Sequence, residues 1–115
     1  MCLIKKHRLP KIAWKPIKVY KVLGRDASTG QYYTPFLYVF VSLGDTINAY
    51  ESWFPHLFSN TVLGEGVHSH IECPDIYFPY RVVVEAIIPR FSLYWKGEDG
   101  DIASTKLILT KKIVL

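Results

Sequence analysis

The sequence predicts a mainly β fold of the α+β class: a single domain built on an antiparallel sheet or meander, with at most one or two short helices. Two observations in residues 81–109 carry this prediction. The first is a run of β-branched residues, Val82–Val84 with Ile87 and Ile88, which favours a strand over a helix. Because this apolar run is nearly unbroken, we expect the strand to be buried on both faces.

The second observation is a pair of alternating segments separated by a turn. Pro89 cannot donate to a β-ladder and should end the first strand. Apolar and polar residues then alternate over 91–96, which is the period of a second strand. Gly97–Asp101 has the sequence GEDGD, whose glycines and carboxylates favour a turn. The expected pairing places 102–104 against 93–95, with Lys106–Leu109 as the next strand.

Residues 1–16 are expected to form a basic, extended arm on a β-rich core of residues 17–115. Pro10 and Pro16 disfavour a helix at the residues that precede them. Trp14 is the ring that could anchor the arm by becoming buried. The first strand of the core is predicted over Ile17–Leu23, although its alternation is imperfect.

The middle of the chain is predicted to hold one further strand and one short helix. Phe36–Ser42 is rich in aromatic and β-branched residues, which favours a strand. Asp45 could cap a helix over Asn48–Trp53, because its carboxylate can accept from backbone N–H groups two or three residues on. Pro55 is expected to stop that helix.

Composition indicates a folded protein without a membrane helix. Half of the 115 residues are apolar and 15% are aromatic, which argues against disorder. No segment approaches the roughly 20 consecutive apolar residues of a transmembrane helix. No apolar region follows the basic residues near the N-terminus, so we expect no secretory signal and a cytoplasmic location. Cys2 and Cys73 are too few for a disulfide framework and are expected to be reduced.

The net charge of +4 conceals a segregation of charge along the chain. Residues 1–25 contain eight lysines and arginines and no acidic residue, whereas residues 26–80 contain six acidic residues and no lysine or arginine. Clustered cations can attract a polyanion and gain affinity from counterion release. Alternatively, the basic arm lies against the acidic middle of its own fold or of a neighbouring subunit. Both explanations stay open at this point.

Residues 54–80 are irregular apart from a short alternating piece, Val67–Ile71. Loops carried on a rigid sheet are where binding sites concentrate, so we look for chemistry here first. His68 and His70 would lie on one face of a strand, where they could share a metal with Glu72. Solvated or packed histidines are the simpler account, and we predict no metal site.

Aromatic residues and arginines are numerous enough to suggest stacking of bases and pairing with phosphates. A small β domain can also use the same rings to fill its core. The residues concerned are Trp14, Tyr20, Tyr32, Tyr33, Tyr77, Tyr80 and Trp95, with Arg25, Arg81 and Arg90. The carboxylates Glu98, Asp99 and Asp101 are expected to shape the turn and to have no catalytic role.

Several segments together resemble a family of short, uncharacterised proteins from gut Bacteroidetes and their phages. The resemblance spans most of the chain, its most specific part is the last segment, and it implies no activity. The segments are Lys18–Leu23, Thr34–Phe36, Gly66–Ser69, Ala86–Pro89 and Tyr94–Ser104.

A more distant similarity is to ADP-ribosyltransferase-like folds. In those folds an early strand with a tyrosine, a G-x-H-S-like strand and a later strand surround a nicotinamide dinucleotide pocket. The resemblance implies that Tyr20, His68 and Ser69 are the matching positions. The late catalytic glutamate has no clear equivalent, since Glu85 precedes the last matching segment and Glu98 lies in the predicted turn.

From these observations we expect a small, non-enzymatic binding or interaction module that engages a nucleotide or other polyanion and could be phage-encoded. No motif indicates a cofactor. Two alternatives stay open: an ADP-ribosyltransferase-like or degenerate nucleotide-binding fold with a pocket near His68, and a structural virion or assembly protein. A protein partner or a homo-oligomer is compatible with each, and no membrane association is expected. The predicted ligand-binding residues are Tyr20, Arg25, His68, Ser69, Arg81 and Trp95.

Overall fold

The computed structural model describes residues 3–34, 39–64, 66–74 and 81–112 of the chain. Over these residues the fold is mainly β with one short α-helix, as the sequence predicts. A 3-10 turn at Glu51–Trp53 leads into that helix, α1 (Phe54–Ser59). The strands are β1 (Leu3–Ile4), β2 (Lys11–Ile12), β3 (Ile17–Arg25), β4 (Tyr32–Tyr33), β5 (Phe40–Val41), β6 (Thr46–Asn48), β7 (Val62–Leu63), β8 (Val67–His70), β9 (Arg81–Ile88), β10 (Leu93–Lys96), β11 (Asp101–Ser104) and β12 (Lys106–Lys112).

All pairs of neighbouring strands are antiparallel, in the order β2-β10-β11-β8-β3-β9-β12-β6. β4 and β5 attach to the end of β3, while β1 and β7 form a separate two-stranded sheet. β3 and β9 share the longest register, from Ile17 opposite Ile88 to Gly24 opposite Arg81. Both predicted strands are confirmed and lie at the centre of the sheet, and β9 ends directly before Pro89 as expected.

The sheet curls because two strands that follow each other directly in the chain, β11 and β12, lie far apart in the strand order. Only Thr105 separates β11 from β12, yet these strands lie four positions apart in the sheet. In a flat sheet four steps would separate them by roughly 19 Å, whereas the Cα atoms of Ser104 and Lys106 can be at most about 7 Å apart. At the bend, the Thr105 N–H donates to the Leu93 carbonyl and the Thr105 carbonyl accepts from Ala49. The result is a barrel-like body.

The inner face of the curled sheet forms the core. On β3 it carries Val19 and Leu23, and on β9 it carries Val84, Ala86 and Ile88, all of them buried. Residues of β8, β11 and β12 also belong to this cluster: Val67, Ile102, Leu107 and Leu109. Further members come from the arm, from α1 and from elsewhere in the fold: Leu3, Ala13, Val41, Ala49, Leu57, Leu63, Trp95 and Ala103. The inner side of β3 is apolar except for Lys21, whereas the outer side carries Lys18 and Tyr20.

The described part of the N-terminal arm holds two short strands with a bent segment over residues 6–9 between them, so it is only partly extended, and it is paired with the rest of the fold. It runs along the edge of β10: Lys6 N–H donates to the Lys96 carbonyl, β2 pairs with Leu93 and Tyr94, and Ala13 N–H donates to the Ser92 carbonyl. Its buried residues are Leu3 and Ala13. The expectation that Trp14 anchors the arm is wrong, since its side chain is 66% exposed.

The predicted helix over Asn48–Trp53 is also wrong. Thr46–Asn48 is a strand that pairs with β12, and the Asp45 carboxylate accepts from the Ser42 N–H, so it stabilises a turn and caps no helix. The helix starts later and contains Pro55 in its first turn, where the missing N–H has no intrahelical partner to lose. No helix in the described part of the chain is long and apolar enough to cross a membrane.

The C-terminal predictions are confirmed with two changes. The turn over 97–101 is present, and β10 pairs with β11 as a hairpin, with Tyr94 opposite Ser104. However, β10 starts only at Leu93, so Phe91 lies in a turn and outside the strand. In addition, β9 and β10 are not neighbours in the sheet. Of the strand predicted over Phe36–Ser42, residues 36–38 lie outside the described residues and Phe40–Val41 is a strand.

Candidate polyanion-binding surface

The six predicted ligand-binding residues occupy different environments. Arg25 and Arg81 are exposed at the same end of the β3–β9 pair, where Arg81 lies opposite Gly24. Tyr20 is half-buried on the outer face of β3, with the Lys18 ammonium 5.7 Å from its ring centroid. Because Arg81 lies opposite Gly24, the register directs the side chains of Arg25 and Arg81 to opposite faces of the sheet, so the structure does not bring these two residues together. Trp95 lies on another strand, β10.

His68 and Ser69 point to opposite faces of β8. His68 is half-buried on the outer face, whereas Ser69 is buried on the inner face and its Oγ has no hydrogen-bond partner among the described residues. Lys21 lies on the inner face of β3, and its ammonium donates to the His68 carbonyl at 2.7 Å. Burial lowers the pKa of Lys21 to about 8. One ligand on the outer face could therefore contact His68 but not the Ser69 hydroxyl.

A row of polar residues crosses the outer face of the sheet. Asp101 lies opposite His70, His70 opposite Tyr20, and Tyr20 opposite Glu85. Burial lowers the pKa of His70; the nearby Asp101 carboxylate opposes this effect and Lys21 adds to it.

The Glu85 carboxylate in this row is already paired. It lies 3.8 Å from the Lys18 ammonium and 3.9 Å from that of Lys111. An anion that bound here would compete with Glu85 for both cations. Within the described residues, no group of three or more His, Cys, Asp or Glu could hold a metal, and Cys73 is a free, exposed thiol.

Trp95 is fully buried, so the expectation that its ring is exposed for stacking is wrong. Its indole N–H donates to the Arg8 carbonyl at 3.3 Å. Phe58 packs edge-on against the ring with centroids 5.5 Å apart, and the Lys5 ammonium lies 5.2 Å from the ring centroid. Trp95 therefore fixes the arm to β10 and is not available to a ligand.

Two other aromatic rings lie together on the surface. The rings of Trp14 and Phe91 meet edge to face at 89° with centroids 6.2 Å apart, and we refer to them as the aromatic pair. They are 66% and 61% exposed. The Arg90 guanidinium lies 4.6 Å from the centroid of the Phe91 ring, which is within the range of a cation–π contact. Two large apolar rings thus remain largely in solvent beside a cation.

Phe91 has an unusual backbone conformation. Its φ is 72°, and it is the only non-glycine residue with a positive φ among the described residues. The Ser92 N–H donates to the Pro89 carbonyl at 3.1 Å, so Phe91 is the third residue of a β-turn, a position that favours glycine when φ is positive. The Phe91 N–H also donates to the Ala13 carbonyl. This turn joins the arm to the end of β9 and holds the aromatic pair in place.

A line of cations leads along the arm to the aromatic pair. We call it the cationic track; its members are Lys6, Arg8, Lys11 and Lys15, and all four are exposed. Because the arm pairs with the edge of β10 from Gly97 to Ser92, these cations follow one edge of the sheet. Lys15 lies nine positions after Lys6, but the arm bulges between Lys6 and Lys11, since Lys6 bonds to Lys96 and Lys11 pairs with Tyr94, only two residues away along β10. The track is therefore shorter than the roughly 30 Å that nine extended residues would span.

The cationic track has no acidic partners in the described part of the chain. The ion pairs found there join Glu85 to Lys18 and Lys111, neither of which belongs to the track. Burial lowers the pKa of Lys5, and the charge of Arg8 lowers it further, which indicates crowding of positive charge. One acidic residue adjoins the arm at the end of the track opposite the aromatic pair, where the Glu98 N–H donates to the Ile4 carbonyl. Leu3 and Ile4 pair with β7, and the Lys5 ammonium donates to the Leu57 carbonyl, so the start of the arm does lie against the middle of the chain. Among the described residues, however, no ion pair joins the arm to an acidic residue of 26–80.

The sequence identified part of this surface. Trp14 and Arg90 belong to the predicted set of rings and cations, and the arm was predicted as a candidate for polyanion binding. Phe91 was missed because alternation placed it in a strand. The only signal in the sequence was Pro89, which ends the preceding strand and is the first residue of the turn. Tyr77 and Tyr80 lie outside the described residues.

No family model, no curated protein and no solved structure matches this chain. The chemistry of the surface itself therefore has to indicate the ligand. Cations without carboxylate partners can bind phosphate or sulfate groups. Exposed aromatic faces can stack on planar rings.

Proposed function

We propose that the protein is a small, non-enzymatic binding module that engages a polyanion through the cationic track and the aromatic pair. The observation that carries this proposal is the exposed Trp14–Phe91 pair beside Arg90, at the end of a line of cations with no carboxylate partners among the described residues. A polyanion would bring phosphate or sulfate groups to Lys11 and Lys15, and release of its counterions would favour binding.

The alternative with a pocket near His68 has weaker support. It needs His68 and Ser69 to act on one ligand, but these side chains lie on opposite faces of β8, and Ser69 is buried. The polar row that contains Tyr20 also contains Glu85, whose carboxylate already pairs with two lysines. We therefore favour recognition over catalysis, and we place recognition at the arm.

The proposal is tested by fluorescence anisotropy with three labelled polyanions: a heparin fragment, polyphosphate and oligothymidylate. We expect at least one to bind at low salt, with an affinity that falls as salt rises. In the double variant Lys11→Gln/Lys15→Gln, the slope of log affinity against log salt should fall by about 0.7 to 0.9 for each lost phosphate contact.

The matched control is Lys106→Gln/Lys112→Gln, which removes the same charge from two exposed lysines of β12. This control should bind like the unchanged protein, because those residues lie outside the track. The proposal is wrong if none of the three polyanions binds at low salt. It is also wrong if both double variants weaken binding equally, since net charge alone would then explain the affinity.

A further inference from the structure

We propose that the ligand of this surface is a single-stranded nucleic acid, with unpaired bases stacked on the aromatic pair and phosphates lying along the cationic track. This inference rests on the proposed function and narrows it to one class of polyanion. DNA and RNA share the chemistry required, namely a planar base and a phosphate in every unit of a flexible chain.

The aromatic pair distinguishes single strands from other polyanions. Heparin and polyphosphate have no aromatic rings, so they would gain nothing from Trp14 or Phe91 beyond the charge of Arg90. Bases in a duplex already stack on their neighbours, and their faces are covered. Only an unpaired base offers a free face, and base–aromatic stacking is tolerant of sequence because every base has such a face.

The shape of the surface favours a polymer over a single nucleotide. The track follows a strand edge, and its four cations are distributed along the arm from Lys6, which bonds to Lys96, to Lys15, which directly follows Trp14 in the sequence. One nucleotide would reach the aromatic pair and only the nearest cations, such as Lys15 and Arg90. A chain of several nucleotides could contact the aromatic pair and the more distant Arg8 and Lys11 together, and so neutralise more of the unpaired charge.

The backbone of Phe91 supports a role in binding. A positive φ is strained for a bulky residue, and such strain tends to persist where function requires it. In a core, burial of the ring would offset this cost, but Phe91 is 61% exposed. Glycine would relieve the strain and would remove the ring. The presence of phenylalanine here is explained if the ring itself contacts the ligand.

The inference is tested with labelled oligothymidylate and oligouridylate of about 15 nucleotides, near the upper end of known single-strand site sizes. A duplex of equal length, a heparin fragment and ATP are the comparison ligands. We expect at least one of the single strands to bind more tightly than the duplex, the heparin fragment and ATP. Binding of that strand should quench the fluorescence of Trp14. Trp14→Ala and Phe91→Gly should each weaken this binding roughly 5- to 150-fold, as expected for one lost stacking contact.

Tyr50→Ala is the matched control, because Tyr50 is 52% exposed and also meets a tryptophan edge to face, but it lies next to Glu51 and belongs to neither the aromatic pair nor the cationic track. This variant should bind single strands normally. Phe91→Gly guards against loss of folding, since it removes strain together with the ring; its circular dichroism spectrum should match that of the unchanged protein.

The outcomes separate the two proposals. If heparin or the duplex binds as tightly as the single strands and Trp14→Ala has no effect, the polyanion function stands and the single-strand inference is wrong. If no polyanion binds at all, both proposals fail. If heparin binds but no nucleic acid binds, and Trp14→Ala abolishes self-association in light scattering, the aromatic pair is a protein interface and the single-strand inference is overturned.

Discussion

Phe91 is the residue at which local preference and observed structure disagree most clearly. A β-turn with a positive φ at its third position favours glycine or asparagine, yet the chain places a phenylalanine there. The ring contacts Trp14 and Arg90 but remains mostly in solvent. A residue under selection only for stability would be smaller at this position.

Comparison of Phe91→Gly with Phe91→Ala should measure this strain. Both variants lose the ring, but only glycine adopts a positive φ without strain, so Phe91→Gly should be more stable than Phe91→Ala by about 1 kcal/mol. We expect Phe91→Gly to lie within about 1 kcal/mol of the unchanged protein in urea unfolding. A loss above roughly 3 kcal/mol, as large-to-small changes in a core produce, would show that the ring serves packing.

Lys21 is a charged residue on the inner face of β3, between Val19 and Leu23. Its ammonium donates to the His68 carbonyl, and burial lowers the pKa to about 8. In the unfolded chain the same amine keeps its ordinary pKa of 10.5. Between these values the unfolded chain binds more protons than the folded protein, so stability contributed by Lys21 rises with pH.

Lys21→Met should remove this pH dependence. We expect the free energy of unfolding of the unchanged protein to rise relative to that of the variant between pH 8 and 10.5, the window set by the two pKa values. The relative rise should be on the order of 3 kcal/mol or less. Lys18→Met is the control from the exposed face of the same strand. Equal pH profiles for unchanged protein and Lys21→Met, from urea titrations, would contradict this account.

At the scale of elements, the N-terminal arm differs most from expectation. Basic residues and two prolines predicted an extended segment, whereas the described arm consists of two short strands with a bent segment over residues 6–9 between them. The sequence could not show that the arm pairs with the edge of β10, because such pairing depends on partners far along the chain. Leu3, which no pattern singled out, is fully buried and packs on Gly97, where a Cβ would lie 2.7 Å from the Leu3 Cγ.

Leu3→Ala should therefore destabilise the whole protein, although it lies close to the chain terminus. Loss of a fully buried leucine costs about 2 to 5 kcal/mol. Ile4→Ala is the matched control, since Ile4 is the next residue of β1 and is 47% exposed; its cost should stay below about 1 kcal/mol. If urea unfolding shows equal stabilities for the two variants, the arm is not part of the folded core.

For the molecule as a whole, the sequence predicted which segments form strands better than it predicted the order of those strands in the sheet. Long, periodic segments such as β3 and β9 were predicted because alternation and β-branching report local preference directly. The closure of the sheet through Thr105 was not predictable, since β11 and β12 look like one continuous strand and nothing local marks where its partners change. The helix was misplaced because Pro55 can stop a helix or start one, and tertiary pairing of Thr46–Asn48 decided between these roles.

The candidate site follows the same rule. Charge segregation identified the arm, because net charge is visible in any sequence. Of the predicted ligand-binding residues, Trp95 is buried and Ser69 faces the core, and neither fact can be read from residue type. Exposure of the aromatic pair depends on a turn whose strain appears only in three dimensions.

The central claim is that recognition occurs at the arm and the aromatic pair. Its most direct test is a titration of isotopically labelled protein with oligothymidylate, followed by two-dimensional NMR. We predict shifts in the Trp14 indole signal and in the amides of 11–15 and 90–92, while the indole signal of buried Trp95 stays unchanged. Shifts confined to His68, His70 and Tyr20, or no shifts at all, would contradict the claim.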